Sequence, residues 1–139
     1  MNEDCVFCRI LSGRLPSETV LDTPDVRAFL DIGPIVKGHV LVIPKDHVEQ
    51  ITDLSAPALH RLAEATQKIA RALFDDLDAD GVNIFQANGA AAGQVVPHVH
   101  YHVIPRYNQD GHHWNWTSQT YSTSQEMTEL GRRLRAVLR

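Results

Sequence analysis

The sequence predicts an α+β fold: a mostly antiparallel sheet of about five strands, one long helix and a C-terminal helix. Three observations carry this. Short β-branched or apolar runs recur between turn residues, as strands require. The stretch from Ser55 to about Asp76 switches to apolar spacing of three and four residues, as a helix requires. No internal repeat, low-complexity linker or break in composition divides the chain, so residues 1–139 read as a single domain.

The elements follow in order. TVLD and VRAFLDI form a hairpin, with Thr23, Pro24 and Asp25 supplying the turn. A loop bracketed by Gly33, Pro34 and Gly38 leads to a third strand, His39 to Ile43, whose continuous apolar run ends at Pro44 and suits burial on both sides. In the long helix Leu59, Leu62, Ala63, Thr66, Ile69, Ala70, Leu73 and Phe74 share a face, Asp53 or Ser55 supplies the cap, and Pro57 is tolerated in the first turn. Asp80 and Gly81 mark the next turn. Val82 to Gln86 is the fourth strand, and Val95 to Pro105 the fifth, with the small-residue loop ANGAAAGQ between them. The final helix runs from about Ser124 to Leu138, capped at Ser124, with Met127, Leu130, Leu134 and Val137 on one face.

Bulk properties exclude several classes. Thirteen basic and 17 acidic residues give a formal net charge of -4, so nothing points to a nucleic-acid or anionic-membrane partner. The opening MNEDCVFCRI lacks the basic start and apolar run of a signal peptide, and charges or Pro and Gly interrupt every apolar run before it reaches a membrane span. A cytoplasmic location is expected. Cys5 and Cys8, the only cysteines, form Cys-x-x-Cys. Four preceding residues leave no room for the strand of a thioredoxin-like site, which disfavours a redox pair against a structural metal; incidental thiols stay open.

The chemistry concentrates in HVHYHVIPR, from His98 to Arg106. Alternation in a strand puts His98, His100 and His102 on one face and Val99, Tyr101 and Val103 on the other. Three readings compete. The histidines could form a solvated polar face. They could share one metal ion, but residues four apart on a strand are separated by about 13 Å at the backbone, which strains a single ion. They could act on phosphate, since imidazole near neutrality serves as nucleophile, acid or hydrogen-bond donor. Gly89, Ala90, Ala91, Ala92 and Gly93, lying just upstream with little side chain, would let backbone N–H groups approach an anion.

These residues, together with CVFCRILSGRLPSETV, FLDIGPIVKGHVLVIPKDHV and AAGQVVPHVHYHVIPR in that order, resemble the histidine triad (HIT) superfamily. The likeness is greatest to its nucleotide-binding branch and zinc-containing bacterial relatives. It spans most of residues 5–106, with residues 1–110 as the family core and 111–139 as a divergent extension. The resemblance implies a HIT-like fold and a nucleotidyl hydrolase or transferase cleaving a purine nucleotide conjugate, such as a phosphoramidate, at its α-phosphate. It assigns His100 as nucleophile, His102 to the phosphate and leaving group, and His39 as support for the catalytic imidazole. Asp31 would receive the ribose hydroxyls, and Phe7, Ile10, Phe29 and Ile32 would surround the base. Gln94 and the backbone from Gly93 to Val95, aided by Asn88, would hold phosphate oxygens.

The same resemblance gives Cys5, Cys8, His47 and His98 to one structural zinc per chain, with no organic cofactor, and implies a homodimer. Two positions depart from the branch: Ala87 stands where an Asn or Gln is usual, and Val95 replaces a phosphate-contacting Ser. Substrate preference is where these departures bear. Two other readings follow from the same residues, a dinucleoside polyphosphate hydrolase and a zinc-stabilised nucleotide-binding scaffold with little catalysis. His112 and His113 read as surface loop residues, and Trp114 and Trp116 either border the pocket or pack at a subunit contact.

Overall fold

The computed structural model describes residues 2–114 and 116–138. Five antiparallel strands form one sheet: β1 (Thr19–Asp22), β2 (Val26–Leu30), β3 (Val40–Pro44), β4 (Gly81–Gln86) and β5 (Tyr101–Arg106), in the spatial order β1-β2-β3-β5-β4. Three helices accompany them: α1 (Val6–Leu11), α2 (Ala56–Leu77) and α3 (Ser124–Val137). The α+β class, the antiparallel sheet and both longer helices agree with the sequence reading. No helix among the described residues is long and apolar enough to cross a membrane.

Each face of the sheet has its own core. Val26 and Ala28 of β2 and Val40 and Val42 of β3 pack with Val99 and Val103 against Leu62, Ala65, Ile69 and Leu73 of α2. Their alternates, Phe29, Leu41 and Ile43, pack on the opposite face with Cys5 and with Phe7, Cys8 and Ile10 of α1. Covered from both sides, β3 is buried at every position, which is why it reads as an unbroken apolar run. The Ser55 hydroxyl caps α2 by accepting from the Ala58 N–H at 3.3 Å. Ala63 and Phe74, expected on the buried stripe of α2, are exposed, because the sheet covers an arc narrower than the apolar one.

The short helix α1 is absent from the sequence reading. Six residues cannot show two turns of periodicity, and Cys5 caps it without a side-chain hydrogen bond. The fifth strand is shorter than expected: pairing starts at Tyr101, not Val95. Pro97 cannot donate to a ladder, and the Val99 N–H is spent on Val48 O at 2.7 Å, outside the sheet. The facing pattern nonetheless survives, with Val99 and Val103 in the α2 core. The cap of α3 is Thr123 rather than Ser124, its hydroxyl accepting from the Glu126 N–H at 3.1 Å. No residue of α3 is buried; Met127, Leu130, Leu134 and Val137 are 40 to 76% exposed.

Candidate functional site

Two clusters of imidazoles lie at opposite ends of β3, and the chain brings both together through the segment His98–His102. At the N-terminal end, Asp31 follows β2 and His39 precedes β3, while His102 sits opposite Leu41 and Phe85 in the sheet. Gly38 delivers His39 to this place. Its φ of +96° favours glycine, and a Cβ there would come within 2.9 Å of the Leu77 side chain and 3.2 Å of Pro105. At the other end, Cys5, which caps α1, and Cys8 within it meet His47, just past β3, and His98.

Hydrogen-bond partners that can only donate or only accept fix the proton on each ring. The Ile35 N–H donates to His39 Nδ1 at 3.2 Å, so the neutral His39 carries its proton on Nε2. That proton is donated to His102 Nδ1 at 2.9 Å, which places the His102 proton on Nε2. His100 is the reverse: its Nδ1–H donates to the His98 carbonyl at 2.7 Å, leaving the lone pair on Nε2. His98 donates Nε2–H to the Pro44 carbonyl at 2.9 Å, which leaves Nδ1 as its free electron pair.

Burial reinforces the neutral forms. It pushes His39 and His100 below the ordinary imidazole range; Asp31 opposes the shift in both, and the His98 carbonyl opposes it further at His100. His102 is pushed down to about 4, by burial first and then by its neighbours His100 and His39. In all three the shift favours the neutral ring. A solvated polar face is thereby excluded, since His98 and His100 are 0 and 6% exposed.

A cavity of about 900 Å³ opens beside the first cluster, and both His100 and His102 line it. Phe7, Ile10 and Phe29 contribute apolar lining, and Asp31 and the fully exposed Ile32 line it too. Gly93 and Val95 border it on the loop side. Val6, Leu15, Ser17, Glu18, Leu41 and Val96 also line it and were not singled out from sequence. Their types are those of ordinary core and surface, so only the folded chain reveals them.

Two predicted phosphate contacts are engaged elsewhere. The Gln94 carboxamide accepts from Gly89 N–H and donates to Glu49 O, both at 2.7 Å, and so closes its own loop. Asn88 accepts from Ile51 N–H at 2.8 Å and exchanges hydrogen bonds with Gln86. Neither lines the cavity. The Gly93 and Gln94 N–H groups donate back to Ala90 O and Gly89 O. Ala87 is buried, and Val95 is 89% exposed.

On the far side of His102, Phe85 lies 5.4 Å from its ring, followed by Trp114 at 6.2 Å from Phe85. The Trp114 indole N–H donates to Asn83 at 2.8 Å, and Arg106 holds Asn83, Asp110 and the His112 carbonyl together. His112 stacks edge-on against Trp114.

The second cluster has the donor set and shape of a metal site. His98 Nδ1 lies 3.5 Å from Cys5 Sγ, 3.8 Å from Cys8 Sγ and 3.3 Å from His47 Nδ1, and Cys8 Sγ lies 3.4 Å from His47 Nδ1. A tetrahedron with bonds of about 2.3 Å to sulfur and about 2.05 Å to nitrogen has edges of about 3.5 Å (S–N) and about 3.3 Å (N–N). The lone pair of His98 points into this group because Pro44 takes its other nitrogen, a common arrangement for a metal-bound imidazole. Asp31, His39 and His102 also converge, but there the Ile35 N–H and the shared His39–His102 proton occupy the nitrogens that a metal would need.

Residues 12–109 match the HIT domain, and the chain belongs to that family. A solved HIT family protein from Bacillus subtilis superposes with a TM-score of 0.91 at 37% identity, over 99% of each chain. A Zn-bound histidine triad family protein from Mycobacterium smegmatis superposes with a TM-score of 0.74 at 40% identity, over 96% of this chain and 91% of that one. The Schizosaccharomyces pombe protein named adenosine 5'-monophosphoramidase is 37% identical over 128 residues, which cover 91% of this chain and 92% of its own.

Proposed function

We propose that the protein is a nucleotide hydrolase, cleaving a purine nucleotide conjugate at the α-phosphorus through a nucleotidyl-histidine on His100. The observation that carries this is the His100 hydrogen bond to the His98 carbonyl: it holds the proton on Nδ1 and leaves Nε2 nucleophilic in a residue that lines the cavity. Similarity to a protein named as a phosphoramidase supports the substrate class.

The nucleoside occupies the Phe7, Ile10 and Phe29 wall, with its ribose hydroxyls on Asp31. One Asp31 oxygen already accepts from the Gly33 N–H at 2.8 Å, which orients the carboxylate. His100 Nε2 attacks phosphorus as the bond to the leaving group breaks. The electron pair departs with that group, which takes its proton from solvent while His102 Nε2–H hydrogen-bonds the departing atom. Water then displaces His100 and gives up one proton to solvent, releasing the nucleoside monophosphate and restoring the neutral ring with its proton still on Nδ1. His102 acts as a neutral donor, and His39 keeps its proton on the nitrogen opposite the shared bond.

Cys5, Cys8, His47 and His98 would hold one zinc, which supplies a closed cross-link between α1 and the histidine segment and offers no open position to substrate. Subunits pair as homodimers in this reading, and residues 1–139 act as one domain.

The test is a rapid quench of the protein with an adenosine phosphoramidate, followed by intact-mass analysis. A nucleotidyl adduct on His100, absent in His100→Ala, is the expected result. Turnover without any dependence on His100 would overturn the reading, and tight AMP binding with no turnover across phosphoramidates and dinucleoside polyphosphates would favour the scaffold.

A further inference from the structure

Helix α1 belongs to both clusters at once. Between Cys5 at its cap and Cys8 stands Phe7, whose ring contacts three others edge-on: His98 at 5.7 Å, His100 at 5.2 Å and Phe29 at 5.7 Å. Phe7 is 5% exposed and lines the cavity, as does Ile10 one turn on. His98 is shared in the same way: its Nδ1 faces the cysteines while its carbonyl sets the proton on His100. A six-residue helix with no side-chain cap has little stability of its own, so its position depends on what it packs against and what ties it.

We propose that metal occupancy of Cys5, Cys8, His47 and His98 and nucleotide occupancy of the cavity are thermodynamically linked, with Phe7 as the positioning residue between them. The proposal rests on the nucleotide reading above. A metal that fixes Cys5 and Cys8 fixes Phe7, and with it one wall of the nucleoside pocket and one neighbour of the His100 ring. By reciprocity, a nucleotide that packs on Phe7 must tighten the metal by the same factor.

The probes are AMP and zinc, measured on the full chain by calorimetry and by chelator competition. AMP is expected to bind about tenfold more weakly to the metal-free protein, and saturating AMP to raise zinc affinity by the same factor. Phe7→Leu is expected to keep its zinc and lose most of that ratio, whatever its own AMP affinity, because the ratio is read as a double-mutant cycle. Equal AMP affinity in folded zinc-loaded and zinc-free protein overturns the linkage and leaves the nucleotide reading standing. Failure of both forms to bind AMP removes the nucleotide reading and the linkage with it.

Should the metal-free chain unfold, cobalt in place of zinc decides the matter within the loaded protein. AMP should shift the ligand-field bands of cobalt in the parent and leave them nearly unmoved in Phe7→Leu. Bands unchanged by saturating AMP in the parent overturn the proposal.

Discussion

His98 and His100 stand two residues apart on the same face of the same segment, yet the fold assigns them opposite tautomers. His98 gives its Nε2 proton to Pro44 and keeps Nδ1 free; His100 gives its Nδ1 proton to the His98 carbonyl and keeps Nε2 free. The first free nitrogen meets two thiols and a second imidazole, and the second belongs to a ring lining a 900 Å³ cavity. Which backbone carbonyl each one reaches thus leaves a different nitrogen free on identical side chains, and the metal-binding and nucleophilic roles proposed for them rest on that difference.

The sharpest way to separate the two is to remove each in turn. His100→Ala should reduce turnover by about four orders of magnitude while AMP binding survives, as expected for loss of a nucleophile; retained turnover would place the chemistry elsewhere. The double change Cys5→Ala, Cys8→Ala should abolish zinc binding and cost several kcal/mol, a fall in Tm of more than about 10 °C, measured by calorimetry and elemental analysis. A variant with unchanged zinc content and Tm would break the contrast from the metal side.

Smaller effects test the support around His100. His39→Ala takes away the donor that fixes the His102 proton and should lower kcat by about a hundredfold, with KM little changed. Asp31→Asn should act in the other direction, raising KM about tenfold through a loss of about 1.5 kcal/mol of charge-assisted hydrogen bonding.

The pH dependence follows from neutral, buried rings. Protonation of His100 Nε2 removes the nucleophile, so kcat/KM is full above its pKa and lost as pH falls through it; burial places that limb below the ordinary 6.5. Stability responds with the same sign. Between about 6.5 and about 4 the unfolded chain takes up a proton on His102 that the folded chain refuses, so urea stability should decline as pH drops across that window and be level above it. A flat urea midpoint from pH 7 to pH 5 would show that His102 titrates normally.

A second contrast concerns the helices. The stripe on α2 and the stripe on α3 are both legible as 3.6-residue patterns, but only α2 finds a core, with Leu62, Ala65, Ile69 and Leu73 buried and no α3 residue covered. Periodicity reports that a face is apolar, not what it meets. The strands behave likewise: β3 is legible from its unbroken apolar run, whereas the start of β5 is not, because Pro97 and the Val99–Val48 bond divert backbone that has strand-like composition. Gln94 and Asn88 have the chemistry of phosphate ligands, and their amides instead close the loop and join it to Ile51.

From sequence alone came the α+β class, the alternation that puts three histidines on one face, and the donor types, because local periodicity and side-chain chemistry are written residue by residue. Tertiary structure alone decided which nitrogen of each imidazole is free, since the deciding partners, Ile35 N–H, the Pro44 and His98 carbonyls, are backbone groups present in every residue and selected only by the path of the chain.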